Sequence, residues 1–81
     1  MKFFPGDIVK REFIHVHDGY TTLRDEPSSR KFVSVSELRG NETAIVIATS
    51  YEWSSGRVFA LLLCKQGMGW TDESLLSLVS R

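Results

Sequence analysis

The sequence predicts a small all-β barrel in one domain that spans residues 1–81. Three observations favour this class: short runs of β-branched and aromatic residues, glycine-containing tight-turn dipeptides between those runs, and the absence of any long helical periodicity. A chain of 81 residues buries only about 60–65 % of its unfolded surface. One compact core is therefore all that this chain can build, and we predict five strands around it.

The first predicted strand begins near Asp7, after the turn-forming Pro5-Gly6 pair. Asp18-Gly19 then gives a strong hairpin signal, because a type I′ turn needs positive φ at both central residues. A two-residue loop there would place Ile14 opposite Leu23 on an apolar face. The opposite, polar face would carry His15, His17, Tyr20 and Thr22.

The middle of the chain is predicted to be a long irregular loop. Residues 24–31 are charged and lack periodicity, which is typical of a linker. Phe32, Val33 and Val35 favour a short strand, whereas Ser34 and Glu37 match a helix capping box. We expect a short strand followed by one helical turn in this region.

The second half of the chain predicts the remaining strands. Residues 44–48 are apolar on both faces, which suits a central strand, and Ser54-Ser55-Gly56 predicts a three-residue connection to a second apolar strand. Gln66-Gly67 predicts a tight turn that would place Trp70 opposite Leu63 and bury most of it.

The last residues predict how the barrel closes. Thr71 or Asp72 can cap a single helical turn, because a side-chain oxygen there accepts hydrogen bonds from free backbone N–H groups. Residues 76–79 would then form a final strand that returns to Ile8 and Val9. The expected architecture is a five-stranded barrel with a long first loop and a 3₁₀ turn before the last strand.

The stretches "PGDIVKRE", "TAIVIA", "VFALLL" and "GMGWTDESLLSLVS" together resemble the SH3-like small barrels. The version seen here is similar to short uncharacterised proteins common in bacteriophages, and more distantly to KOW-type barrels. The resemblance covers the first dozen residues and roughly the last forty, and leaves out residues 13–41. It implies a non-enzymatic binding role, but the aromatic stretch and acidic loop that read proline-rich ligands in signalling SH3 domains are missing.

Composition argues against several functions. Lys plus Arg and Asp plus Glu both number 10, so the chain lacks the basic surplus typical of proteins that bind nucleic-acid phosphates. Cys64 is the only cysteine, which excludes an internal disulfide and favours a buried thiol in a reducing, cytoplasmic setting. No signal peptide or membrane-spanning run is seen. We predict no cofactor, and a location in the bacterial host cytoplasm if the chain is phage-encoded.

Catalytic and metal motifs are also weak. His15 and His17 would share a strand face, but a zinc site needs three or four ligands and the sequence supplies no further convincing ones. No nucleophile elbow or phosphate-binding glycine loop occurs. The chain is therefore predicted not to be an enzyme and to hold no metal.

The exposed aromatic residues are the candidates for partner binding. Tyr51 and Trp53 share a face beside the predicted turn, and Arg57 begins the return strand close by, a combination typical of interface hot spots. With Tyr20 they form the predicted partner-binding set of a protein–protein adaptor. The same aromatic residues could instead cover the open end of the barrel.

Two further interactions stay open from the sequence alone. A KOW-like module that binds RNA, DNA or a ribosomal surface would use Lys10, Arg11, Arg30, Lys31 and Arg39. A homodimer could form through an edge strand, since small barrels leave edges exposed.

Overall fold

The computed structural model describes residues 2–12 and 19–81. In this part of the chain seven strands form: β1 (Ile8–Arg11), β2 (Tyr20–Arg24), β3 (Ser34–Arg39), β4 (Ala44–Glu52), β5 (Arg57–Cys64), β6 (Gly67–Asp72) and β7 (Leu76–Ser80), with a 3₁₀ turn at Glu73–Leu75. All pairings are antiparallel and build one sheet in the order β3-β2-β6-β5-β4-β1-β7. The all-β prediction is confirmed. The described residues hold seven strands where five were predicted, and the sheet is open, with β3 and β7 at its edges.

The structure differs from the prediction mainly at β3. Strand β2 matches the predicted second arm of the Asp18-Gly19 hairpin, whereas β3 continues the predicted short strand through the residues expected to form a helical turn. Ser34 and Glu37, which match a capping box, lie in β3 and not in a helical turn, so that prediction is wrong. The pairing of β3 with β2 supplies the backbone hydrogen-bond partners that a helix would otherwise provide. It also buries Leu38 completely, so tertiary packing overrides the local capping signal.

The inner face of the sheet carries the main core. Its fully or almost fully buried members are Phe3, Val9, Leu23, Leu38, Ala44, Val46, Ala60, Leu62 and Leu76. The β2–β3 hairpin packs onto β6 so closely that a Cβ added at Gly69 would lie 2.7 Å from the Cβ of Leu23. Glycine at this position is therefore required by the approach of β2 rather than by its backbone dihedral angles.

The outer face is only partly covered. Strand β4 is central, between β1 and β5, as predicted. It is not buried on both sides, however, because Ile45 and Ile47 are 44 % and 42 % exposed while Ala44 and Val46 are buried. The apolar run of β4 therefore alternates between the core and solvent, and the expectation of two buried faces is wrong.

Two turns differ from the sequence prediction in register. Cys64 lies opposite Gly67, so Lys65 and Gln66 form the β5–β6 turn and Trp70 faces Leu61 rather than Leu63. The pairing partner of Trp70 is thus shifted by two residues, which keeps Trp70 on the expected sheet face. Its side chain is half-buried, however, and not mostly buried as predicted. In the β4–β5 hairpin Glu52 pairs with Arg57, so Trp53 belongs to a four-residue turn.

The closing segment follows the prediction. Asp72 caps the 3₁₀ turn by accepting a hydrogen bond of 3.0 Å from the Ser74 N–H. Strand β7 then pairs with β1, with Leu78 opposite Val9. The predicted Asp18-Gly19 hairpin has its first arm and Asp18 outside the described residues, while Gly19 has a φ of +78°. Within residues 2–12 and 19–81, no helix is long and apolar enough to cross a membrane.

Candidate functional site

The tip of the β4–β5 hairpin exposes two aromatic rings in contact. Trp53 is 88 % exposed and Tyr51 is 51 % exposed. Their ring centroids lie 5.3 Å apart at an interplanar angle of 81°, which is the edge-to-face arrangement that aromatic pairs favour. The two rings therefore orient each other on the surface without being part of the core.

Hydrogen bonds inside the turn hold its backbone in place. The Gly56 N–H donates to the Glu52 carbonyl oxygen at 2.9 Å, and Gly56 adopts a φ of +71°, which a residue with a Cβ rarely adopts. The Ser55 hydroxyl donates to the Glu52 carboxylate, and the Arg57 N–H donates to the Ser55 hydroxyl at 3.3 Å. Trp53 is thus displayed from a turn with a defined shape.

Glu52 also links this turn to the loop of residues 25–33. The Ser29 N–H donates to Glu52 Oε2 at 2.9 Å. The hydrogen bonds from the Ser55 hydroxyl and from Ser29 lower the pKa of Glu52 from 4.5 to about 2. The ionised carboxylate is therefore the form that bridges the two segments.

The 25–33 loop has a regular internal structure although it contains no strand. Its ends are joined, because the Asp25 N–H donates to the Val33 carbonyl oxygen at 2.9 Å and the Val33 N–H donates to Asp25 Oδ1 at 2.7 Å. The Arg24 guanidinium lies 4.0 Å from the Phe32 ring centroid and 5.4 Å from that of Phe59. It also donates to the Ser28 carbonyl oxygen at 2.7 Å, which fixes the loop over the outer face.

Arg57 does not join the aromatic pair. It lies opposite Glu52 and so shares the sheet face away from Tyr51, and its Nη1 donates to Asp72 Oδ2 at 2.6 Å. Burial on its own raises the pKa of Asp72, but hydrogen bonds from Ser74 and Arg57 outweigh it and leave that pKa below its ordinary value. Arg57 and Asp72 line a shallow surface cavity of about 360 Å³ together with Lys2 and Glu73.

Tyr20, the fourth predicted partner-binding residue, lies on a different strand. It is 44 % exposed at the start of β2, opposite Arg39. In the sheet, β6 and β5 separate β2 from β4. The structure thus brings Tyr51 and Trp53 into contact and places Arg57 and Tyr20 elsewhere on the sheet. The number of residues in the turn decides which sheet face carries Arg57. A four-residue turn pairs Arg57 with Glu52 and so places it on the face away from Tyr51.

The residues predicted for nucleic-acid binding do not share one surface. Arg11 is only 4 % exposed and donates to the Thr21 hydroxyl at 3.0 Å, whereas Lys10 points to the other side of β1. Arg39 pairs with Glu37 on β3, with Nη2 and Oε1 2.5 Å apart. Only Arg30 and Lys31 lie near the tip, in the loop that Ser29 ties to Glu52.

Among the described residues, the potential metal ligands do not cluster, and the Cys64 thiol is partly covered. In residues 2–12 and 19–81, no three or more His, Cys, Asp or Glu side chains form a group that could hold a metal ion. His15 and His17, considered as a pair of ligands, lie outside these ranges. Cys64 is half-buried, and its thiol donates to the Glu37 carbonyl oxygen at 3.7 Å.

Sequence reasoning missed a second exposed surface, on the outer face of the sheet. Ile45, Leu63 and Met68 are 44 %, 46 % and 52 % exposed. Ile45 and Leu63 lie in continuously apolar runs, so the periodicity predicted two buried faces for β4 and β5 and did not predict that half of this face is open.

In comparisons with protein-family models, curated proteins and solved structures, the chain has no significant match.

Proposed function

We propose that this chain is a small non-enzymatic binding module, an adaptor that recognises a protein partner through the aromatic tip formed by Tyr51 and Trp53. One observation carries the proposal: Trp53 is 88 % exposed although its turn is held by several hydrogen bonds. So exposed a side chain adds little to the core, whereas Trp and Tyr are the residues most enriched in interface hot spots.

The preorganisation of the tip supports this role. The edge-to-face contact and the Glu52 hydrogen bonds limit the conformations that binding would have to fix. Less conformational entropy is then lost on association, so a larger part of the contact energy appears as affinity. The adjoining 25–33 loop extends the surface, because it is tied to the tip through Ser29 and Glu52.

We also propose that the chain is an SH3-like barrel of the phage type, as its sequence resembles, and that it acts in the cytoplasm. The antiparallel pairing of β1 with β7 after a 3₁₀ turn supports this class. The open, seven-stranded sheet differs from it. A crystal structure in which β3 does not close toward β7 or β1 would remove the chain from the barrel class.

The test compares Trp53→Ala with Phe4→Ala, which removes another exposed aromatic ring (56 % exposed) far from the tip in sequence. Each tagged variant captures partners from the lysate of its native host, and quantitative mass spectrometry compares them with wild type. We expect Trp53→Ala to lose a specific partner that Phe4→Ala retains. If both variants capture the same proteins as wild type, the tip is not the binding site.

Binding of a single-stranded nucleic acid is the second candidate function. The balanced composition does not favour it, but the position of two basic residues does. Arg30 and Lys31 are exposed, form no ion pair with a described residue, and lie in the loop that is bonded to the aromatic tip. Many proteins bind single-stranded nucleic acids through aromatic rings that lie beside cationic side chains. Titration of single-stranded RNA and DNA at several salt concentrations decides: a linear log–log decrease in affinity favours this role, and no binding at low salt excludes it.

A further inference from the structure

The open half of the outer sheet face carries a continuous apolar surface that is separate from the aromatic tip. Its exposed members are Ile45, Ile47, Leu63 and Met68, which we call the apolar strip. Their exposed fractions lie between 42 % and 52 %, so about half of each side chain is in solvent. The half-buried Ile8, Leu61 and Trp70 border the strip on the same face.

The strand register places these side chains side by side. Ile8 on β1 faces Ile45 on β4, Ile45 faces Leu63 on β5, and Leu63 faces Met68 on β6. Directly opposed residues in antiparallel strands project to the same face, so the four form one row across four strands. Ile47 occupies the β-bulge between Val46 and Ala48 and extends the row along β4.

Packing among residues 2–12 and 19–81 does not explain why these residues are apolar. Their neighbours on the opposite face, Val46 and Leu62, are completely buried and supply the core. The largest apolar patch on a typical soluble monomer measures about 300–600 Å² and is often a binding site. The 25–33 loop covers the other half of this face and does not cover the strip.

Two lysines lie beside the strip. Lys10 follows Ile8 by two residues on β1, and Lys65 follows Leu63 by two residues, in the β5–β6 turn. Neither lysine forms an ion pair with a residue that the structure describes. Glu12 follows Lys10 by two residues, and Glu42, just before β4, accepts a hydrogen bond from the Arg39 N–H at 3.0 Å. The strip is thus an apolar row with two lysines at its margin.

The dimensions of the row match one short helix. Four neighbouring strands are spaced by about 4.7–4.9 Å, so the row from Ile8 to Met68 is about 14 Å long. A helix of about ten residues has that length and presents apolar side chains at i, i+3, i+4 and i+7 on one face. A helix laid on the free face of a sheet is also the common way to complete a two-layered architecture.

We propose that the apolar strip docks a short amphipathic helix of a partner protein, with acidic residues flanking its apolar face. Leu63 and Met68 contact the apolar side of the helix, and Lys10 and Lys65 attract its carboxylates. A second copy of this chain is less suited to the site. A dimer through this face would bring Lys10 and Lys65 of both copies into one interface, where like charges repel.

A selection of displayed peptides tests the proposal directly. The library holds peptides of about 15 residues, with apolar residues at one helical face and Glu, Lys or Gln allowed at every other position. We expect selection on the wild-type protein to enrich Glu at the positions that flank the apolar face. The selected peptides then serve as the probe for the variants.

Three substitutions in or beside the strip, with two control substitutions elsewhere, locate the binding site. Leu63→Ser and Ile45→Thr should each weaken peptide binding by roughly tenfold, whereas Val79→Ser, which changes an exposed residue on β7, should leave it unchanged. Lys65→Glu should weaken binding and reduce its salt dependence, and Lys31→Glu in the loop should not. Thermal unfolding of each variant checks that the fold is retained, and the threonine variant keeps the β propensity of its strand.

Three outcomes overturn the proposal. They are selection of basic instead of acidic peptides, selected peptides that bind Leu63→Ser and Ile45→Thr as tightly as wild type, and no enrichment at all. Light scattering on the protein alone tests the competing occupant, a second copy of the chain. A dimer that Leu63→Ser dissociates assigns the strip to a second copy of the chain. Trp53→Ala should bind the selected peptides normally, so the strip and the aromatic tip can fail independently.

Discussion

The two halves of the outer sheet face differ although they lie on the same strands. Phe59 and Leu63 both lie on β5 and share that face, yet Phe59 is completely buried and Leu63 is 46 % exposed. The 25–33 loop makes the difference, because Arg24 and Phe32 hold it over Phe59. The comparison teaches that an apolar strand predicts a sheet face suited to burial, while a separate segment decides which part of that face is buried within the chain.

Removal of Phe59 should have the largest effect on stability. We expect Phe59→Ala to lower the free energy of unfolding by about 3–5 kcal/mol, because it leaves a cavity under the loop. Leu63→Ala on the open half should cost less than about 1 kcal/mol, since about half of that side chain is already in solvent. Urea unfolding measures both variants. Equal losses would mean that the two halves are covered alike.

Removal of the Arg24 side chain should have the second largest effect on stability, because Arg24 links the 25–33 loop to the sheet. Arg24→Ala removes its contacts with Phe32 and Phe59 and its hydrogen bond to Ser28, and should cost about 1–3 kcal/mol. Hydrogen exchange should accelerate at residues 25–33 in this variant and stay unchanged in β7. Arg30→Ala, in the same loop, provides the matched control. Unchanged exchange in the loop of Arg24→Ala would show that Arg24 does not hold it.

Acid should loosen the same loop through Glu52. Since folding lowers the pKa of Glu52 from 4.5 to about 2, its stabilising hydrogen bonds are fully present above about pH 4.5 and are lost as the pH falls toward about 2. Wild type should therefore lose stability over this window, and Glu52→Gln should lose less. The difference between their urea midpoints from about pH 5 to about pH 2 isolates Glu52 from the other carboxylates. Parallel curves would contradict the Ser29 and Ser55 contacts.

The smallest effect is expected on the open half of the face. Leu63→Ser should change the free energy of unfolding only slightly, by about 1 kcal/mol or less, while it lowers retention on a hydrophobic column. A loss as large as that of Phe59→Ala would show that the strip is packed in solution, by another segment of the chain or by a second copy.

The sequence predicts local features well and long-range packing poorly. The turn at Gly56, the cap at Asp72 and the return of β7 to β1 follow from residue types whose effect is local. The sequence predicts a short strand near Val35 but not its full length, because the capping-box residues of β3 extend that strand only when β2 pairs with them. The exposure of Ile45 depends on what covers it, which no periodicity encodes.

The candidate site shows the same limit. Strand alternation predicts that Tyr51 and Trp53 are neighbours, but Trp53 lies in the turn, so their edge-to-face contact also depends on the shape of that turn. The separation of Arg57 from them depends on the turn length, and the link between Ser29 and Glu52 joins segments that are 23 residues apart in sequence. Such a link reflects the path of the loop across the sheet and has no local signature.

The most direct test of the central claim, that Trp53 serves recognition rather than folding, combines unfolding and partner capture in the same variant. The claim predicts that Trp53→Ala unfolds within about 0.5 kcal/mol of wild type and loses its partner, while Phe4→Ala keeps both stability and partner. A loss of several kcal/mol on Trp53→Ala would make the residue part of the fold. Undiminished partner capture by a stable Trp53→Ala variant would contradict the recognition role.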